Sequence, residues 1–298
     1  MGGILIGTCS WTDRALLASG WYPPGARSAE ARLRYYASRF PVVEVDATYY
    51  SLPTARNSRL WTERTPDGFV FDIKAFSLLT GHPTRAGALP PGLRPEGPPE
   101  RSLRAAQLPG AVLEEVWRAF LDGIAPLREA GRLGSVLLQF PPWFGPGERE
   151  RVRLADCRRR VPDDVRLAVE FRHPGWLAPG HRAATLEFLR SRGLALVAVD
   201  TASGLPASMP PVAEVTCPEV AVARFHGRSP AWGSGSKEER FRHRYAPGEL
   251  AAWIPRVRQL AAGAKEVHVL FNNCCGDAAV SAAATMAGLL RSVTPPGA

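Results

Sequence analysis

The apolar positions fall into short β-branched runs that alternate with longer segments of helical period. Runs at 4–8, 42–46, 69–74, 135–140, 166–171, 194–199, 220–225 and 267–271 read as strands. Helices are predicted between them over 29–39, 57–64, 112–130, 148–160, 182–192, 247–262 and 277–291. Ser28 is placed to cap the first, Gly193 to end the fifth and Pro247 to open the sixth. Strands that alternate with helices in this way predict the α/β class, and eight of them predict a closed parallel TIM (β/α)8 barrel. A chain of 298 residues that is 45% hydrophobic suits one such domain over residues 1–298.

Loop lengths orient the barrel. Helix-to-strand links are short: Pro41, 65–68, 161–164, Gly193 and 263–265. Long loops follow strands one, three, six and seven, and the Pro/Gly-rich excursion 76–111 is predicted to lie over the mouth. In such barrels the elaborated C-terminal face carries the chemistry.

Strand alternation then says which side chains face the barrel axis. In strand two, Val43 and Val45 share one face and Glu44 and Asp46 the other; the valines suit the helical layer, so the acids point inward. The same argument turns Asp72, Lys74, Gln139, Glu170, Arg172, Asp200, Arg224 and His226 inward, and polarity places Asn272 there too. The clearest stretch is Leu167-Ala-Val-Glu-Phe-Arg-His-Pro-Gly-Trp176, where Glu170 and Arg172 share one strand face just before a Pro-Gly turn. An ordinary barrel interior is apolar, so polar groups gathered at one rim predict a site.

Composition narrows the chemistry. The formal charge is +9 and almost all cations are Arg; Lys74, Lys237 and Lys265 are the only lysines. Such a balance attracts polyanions, nucleic acid included. A Lys kept inside a strand suggests a need for a compact amine. Five cysteines without CxxC spacing argue against a disulfide framework and a structural zinc site, although Cys9 and Cys274-Cys275 fall on neighbouring strand ends and could form a rim thiol cluster. No apolar run reaches membrane-spanning length and the start resembles neither a leader nor a myristoylation signal, so a cytoplasmic protein is expected.

Glu44, Glu170 and Asp200 are candidates for acid–base work or for binding Mg2+ or Mn2+; no organic cofactor is indicated. Lys74, Arg172 and Arg224 suit a phosphate or carboxylate, and His226 a proton shuttle. Trp11, Trp21, Tyr49, Tyr50 and Trp176 fall on the upper loops, where they could stack a base or sugar or pack the loops.

The motifs Ile6-Gly-Thr-Cys-Ser-Trp11, Val43-Glu-Val-Asp-Ala-Thr-Tyr-Tyr50, Gly68-Phe-Val-Phe-Asp-Ile-Lys74, Leu138-Gln-Phe-Pro-Pro142, Ala168-Val-Glu-Phe-Arg-His-Pro-Gly-Trp176, Arg224-Phe-His-Gly227 and Phe271-Asn-Asn273 occur in that order. The chain thereby resembles the YecE-like family, the domain of unknown function 72. The resemblance implies a TIM barrel and no agreed reaction. It also implies that His173 and Asn273 join Glu44, Lys74, Gln139, Glu170, Arg172, Asp200, Arg224, His226 and Asn272 as recurrent polar positions. Family members commonly carry Ser where this chain has Cys9, and Asn where it has Asp46.

Three readings follow. The leading one is an enzyme acting on a small or polymeric anion, phosphate esters and nucleic acid foremost, with Glu44, Lys74, Glu170, Asp200 and His226 as catalytic groups. Trp11, Tyr50, Gln139, Arg172, His173, Arg224, Asn272 and Asn273 would bind the substrate. The alternatives are a non-enzymatic nucleic-acid-binding barrel and an isomerase or aldolase acting through a Lys74 Schiff base.

Overall fold

A computed structural model describes residues 2–273 and 275–292. Eight parallel strands close into a barrel: β1 (Gly3–Thr8), β2 (Val42–Val45), β3 (Val70–Lys74), β6 (Leu133–Gln139), β7 (Leu167–Glu170), β8 (Leu194–Asp200), β9 (Val220–Phe225) and β10 (Glu266–Phe271). Their order around the barrel is β1-β10-β9-β8-β7-β6-β3-β2, so the predicted α/β TIM barrel is the fold. β4 (Thr84–Arg85) and β5 (Ser102–Leu103) form a small antiparallel pair inside the predicted excursion. Every residue of β2, β7, β8 and β9 is buried, as expected of parallel strands packed on both faces. Among the described residues no helix is long and apolar enough to cross a membrane.

The seam between β1 and β2 is short, with Gly7 opposite Val42 and Thr8 opposite Val43. Tyr36, on α2 (Ala29–Ala37), reinforces it. Its buried hydroxyl accepts from Thr8 N at 2.8 Å and donates to Val42 O at 3.1 Å. The cross-links hold two strand ends that both carry site residues.

Two predicted elements differ in detail. The sixth helix is broken into α8 (Pro247–Ala251) and α9 (Ile254–Gly263). Pro255 explains the break: it has no N–H to donate, and its ring would clash with the carbonyl four residues earlier. The loop after β1 contains α1 (Arg14–Ala18), capped by the Asp13 carboxylate, which accepts from Ala15 N and Leu16 N. The remaining longer helices, α3 (Ala55–Glu63), α4 (Gly110–Glu129), α5 (Glu148–Arg160), α6 (Pro179–Arg190) and α10 (Ala278–Ser292), surround the sheet. A short helix, α7 (Lys237–Arg240), lies in the loop after β9.

Inside the barrel, one inward position before Lys74 on β3, lies a second polar group. His268 Nδ1 lies 2.8 Å from Asp72 Oδ2, and Ser135 Oγ donates to Asp72 Oδ1 at 2.7 Å. Gly134 leaves room for it: a Cβ there would stand 2.6 Å from Asp72 Oδ1 and 2.8 Å from His268 Cε1.

Candidate active site at the barrel mouth

Arg224 is the hub of the mouth and is 0% exposed. Its Nη2 donates to Glu44 Oε1 at 2.6 Å and lies 3.5 Å from Cys9 Sγ, while its Nη1 donates to Glu170 Oε2. The other Glu170 oxygen accepts from Gln139 Nε2 at 2.6 Å and from Arg172 Nε, with His226 Nε2 at 3.1 Å. Strands β2, β6, β7 and β9 thus meet through one buried ionic network, in which each charge has an opposite partner.

The two carboxylates around Arg224 are electrostatically unlike. Burial raises Glu170, but the Arg172 and Arg224 charges more than offset this and hold it well below the usual carboxylate range. Glu44 is pushed up to about 7 by burial, against the opposing charges of Arg224 and Lys74. Its Oε2 has no hydrogen-bond partner among the described residues. Near neutral pH, Glu44 therefore exists in both protonation states while Glu170 stays ionised.

His226 is neutral, pushed down to about 3 by burial and then by Arg172. Asn272 Nδ2 lies 3.1 Å from His226 Nδ1. An amide donor at Nδ1 leaves the ring proton on Nε2, which faces Glu170 Oε1 at 3.1 Å; Arg172 Nη2 lies farther from the same nitrogen, at 3.4 Å. Trp232 stacks on the ring at 5.6 Å and lies under the Arg172 guanidinium at 5.0 Å.

Above this network opens a cleft of about 610 Å³. Lys74, Arg172, Gln139 and Asn272 line it, with Cys9 and Asp46. Lys74 Nζ donates to Asp46 Oδ1 at 2.7 Å and sits 4.5 Å from the Tyr49 ring centroid. Thr48 Oγ1 lies 2.6 Å from Lys74 O and 2.8 Å from Val45 O, tying the ends of β2 and β3 together. Tyr49, Tyr50 and Trp143 contribute to one wall and Trp232 and Phe241 to another; Tyr50 is 54% and Trp143 59% exposed.

Not every expected residue reaches the cleft: Glu44, Glu170, Arg224 and His226 are fully buried beneath it and are not among the residues that line it. Asp200 faces the helical layer, not the axis, which corrects the inward placement. In register it pairs with Phe225, an outward position, and Val199 pairs with Arg224. Its carboxylate accepts from Trp253 Nε1 at 2.7 Å, Tyr245 Oη at 2.6 Å and the Arg228 guanidinium. Asn273 is buried and donates to His243 O at 2.9 Å, so it supports the following loop. His173 Nδ1 accepts from Gly175 N at 3.1 Å and shapes its own turn. Trp11 is buried edge-on against Trp61 of α3.

The donor geometry does not fit a Mg2+ or Mn2+ cage built from Glu44, Glu170 and Asp200. Both Glu170 oxygens already accept from cationic or amide groups, and Asp200 points into the shell. Cys9 is buried beside Arg224 and raised well above its ordinary value by burial and by Glu44, so it is a thiol. Cys274, the other half of the expected rim cluster, lies outside the described residues.

The family described as "Protein of unknown function DUF72" matches residues 5–297. The chain belongs to the DUF72 family. UPF0759 protein YunF of Bacillus subtilis (strain 168) is 31% identical over 293 residues, covering 96% of this chain and 94% of YunF. UPF0759 protein YecE of Escherichia coli (strain K12) is 29% identical over 199 residues, which is 66% of this chain and 59% of YecE. The crystal structure of the DUF72 family protein TM1631 from Thermotoga maritima MSB8 superposes with a TM-score of 0.77 at 29% identity. That match covers 97% of this chain and 99% of the other.

Within this DUF72 barrel several cleft residues carried no sequence signal that strand alternation could use. His82 comes from the excursion, is pushed down to about 4 by burial and then by Lys74 and Arg172, and lies edge-on to Tyr49. Trp143 follows Pro141-Pro142 at the end of β6, and Trp232, Arg240 and Phe241 sit in the loop after β9. Aromatic residues in loops that leave strand C-termini were the available hint.

Proposed function

We propose that this protein is an enzyme that binds a phosphate ester in the mouth cleft and performs acid–base chemistry on it. Lys74 and Arg172 hold the anion, and Glu44 supplies or accepts the proton. The observation that carries the reading is the division of labour around Arg224. One carboxylate is locked as a counter-charge, while the other titrates near neutrality close to Lys74, directly beneath a cleft whose lining also includes Arg14, Arg172 and Arg240. Gln139 and His226 fix Glu170, which in turn fixes Arg172. His226 is therefore a positioning group, because it is fully buried against Glu170 and does not line the cleft.

Lys74 is engaged as a cation by Asp46 and the Tyr49 ring, whereas a Schiff base needs a free amine. The anion-binding reading is the better supported of the two.

The test is turnover and binding across a panel of phosphate mono- and diesters. Glu44→Gln should lower kcat by about 10²- to 10⁴-fold with Kd little changed, the scale of a lost acid–base group. Lys74→Met should weaken binding by about 10- to 150-fold, the scale of a lost charge-assisted hydrogen bond. Wild-type turnover in Glu44→Gln would remove the acid–base role, and absence of binding by the whole panel would remove the substrate class.

A further inference from the structure

We infer that the natural ligand is single-stranded nucleic acid, held by the mouth cleft and by a second anion subsite beyond Trp143. The inference rests on the phosphate-ester reading and deepens it. Its basis is a separate polar cavity of about 290 Å³ lined by Thr80, Gly81, Trp143, Arg149, Glu150 and Arg153. Trp143 lines both this cavity and the main cleft, so one exposed indole divides two basic chambers. Lys74 and Arg172 lie on one side and Arg149 and Arg153 on the other.

The two arginines are one helical turn apart and share a face of α5. Other arginines of that helix are engaged by the protein's own groups. Arg151 covers Trp176 and Phe188, Arg158 donates to the carbonyls of Val161, Pro162 and Val165, and Arg159 and Arg160 pair with Asp156. Arg149 and Arg153 make no ion pair among the described residues. Gly81 adopts φ +83°, and a Cβ there would meet the Arg153 guanidinium at 2.9 Å, so the excursion backbone leaves space for that cation. Glu150 reduces the positive charge of the cavity without cancelling it.

Phosphates on both sides of a stacking ring are the repeat of a polynucleotide strand, with a base on the indole and its neighbouring phosphates in the two chambers. Arg104 lies over Trp143 at 5.5 Å and adds a further cation at the divide. A single mononucleotide would use the main cleft alone.

The experiment compares binding of thymidine monophosphate and a ten-nucleotide oligo-dT by the full chain, wild type and Arg149→Ala/Arg153→Ala. The wild type is expected to prefer the oligonucleotide at least tenfold. In the double variant that ratio should fall severalfold or more, and the slope of log K against log salt should drop by about 1.4, from two lost single-strand phosphate contacts. Mononucleotide affinity in the same variant reports whether the cleft is folded. Binding of the mononucleotide with an unchanged ratio in the variant would overturn the second subsite but leave the phosphate-ester reading intact. Equal binding of a poly-glutamate peptide of similar length would overturn the nucleic-acid assignment. Failure of the wild type to bind either nucleotide or any simple phosphate ester would overturn both.

Discussion

The buried His268–Asp72 pair in the barrel interior makes stability fall as the solution turns alkaline. His268 is 0% exposed and is held up at about 9. Burial lowers it, but the Asp72 carboxylate at 2.8 Å more than compensates, with a further contribution from Glu266. In the unfolded chain an imidazole titrates near 6.5. Between these values the folded state binds more protons than the unfolded one, so unfolding free energy declines with rising pH. The stabilisation is complete below about pH 6.5 and is lost as pH rises through 9. Integrating between pH 7 and 8.5 gives a loss of about 2 kcal/mol at 1.36 kcal/mol per pH unit. Cys9 and Cys157 are both raised above the ordinary thiol range by burial, so their effect falls mainly beyond this interval. Urea denaturation at several pH values, on wild type and His268→Gln, measures the effect. His268→Gln should be less stable at pH 7 and should lose most of the slope. A flat or rising wild-type curve, or an unchanged slope in the variant, would refute a buried imidazolium.

Arg224→Met should destabilise the protein by about 3–5 kcal/mol, because it strands two buried carboxylates, and adding Glu170→Gln should recover part of this in thermal melts. Asp200→Ala should cost a similar amount, since Trp253 Nε1, Tyr245 Oη and Arg228 all lose their acceptor; limited proteolysis should find the loop after β9 newly cleavable. Gly134→Ala should cost about 1–3 kcal/mol by overpacking against Val70, Asp72 and His268, read by urea midpoint.

The barrel was legible because parallel strands buried on both faces must be rich in β-branched residues and must alternate with helices. Glu44, Lys74, Glu170 and Arg224 were legible because a charge in such a strand breaks the pattern it stands in. Alternation failed at Asp200, the last residue of β8. The alternation argument gave an inward direction there, but the register with Phe225 fixes the opposite one, and register is a property of two strands. His268 was missed for the converse reason. It stands in an apolar strand, and only the arrival of Asp72 from across the barrel explains its burial. Trp143, His82 and Trp232 lie on loops, where no period predicts direction. Their shared role at the cleft emerges only when strands distant in sequence become neighbours.

The mouth network shows why sequence can find charged groups without assigning their roles. Glu44 and Glu170 are the same residue type, both fully buried, and both bonded to the Arg224 guanidinium. What separates them is the number of additional donors. Glu170 also receives Gln139, Arg172 and His226, so its negative charge is stabilised from several sides. Glu44 keeps an oxygen without a partner among the described residues, and desolvation dominates. Supplying Glu44 with a second donor should therefore lower its pKa toward that of Glu170, and removing donors from Glu170 should raise its own. Gln139→Leu tests this link: the acid limb of stability should shift to higher pH, because a carboxylate deprived of a donor protonates earlier.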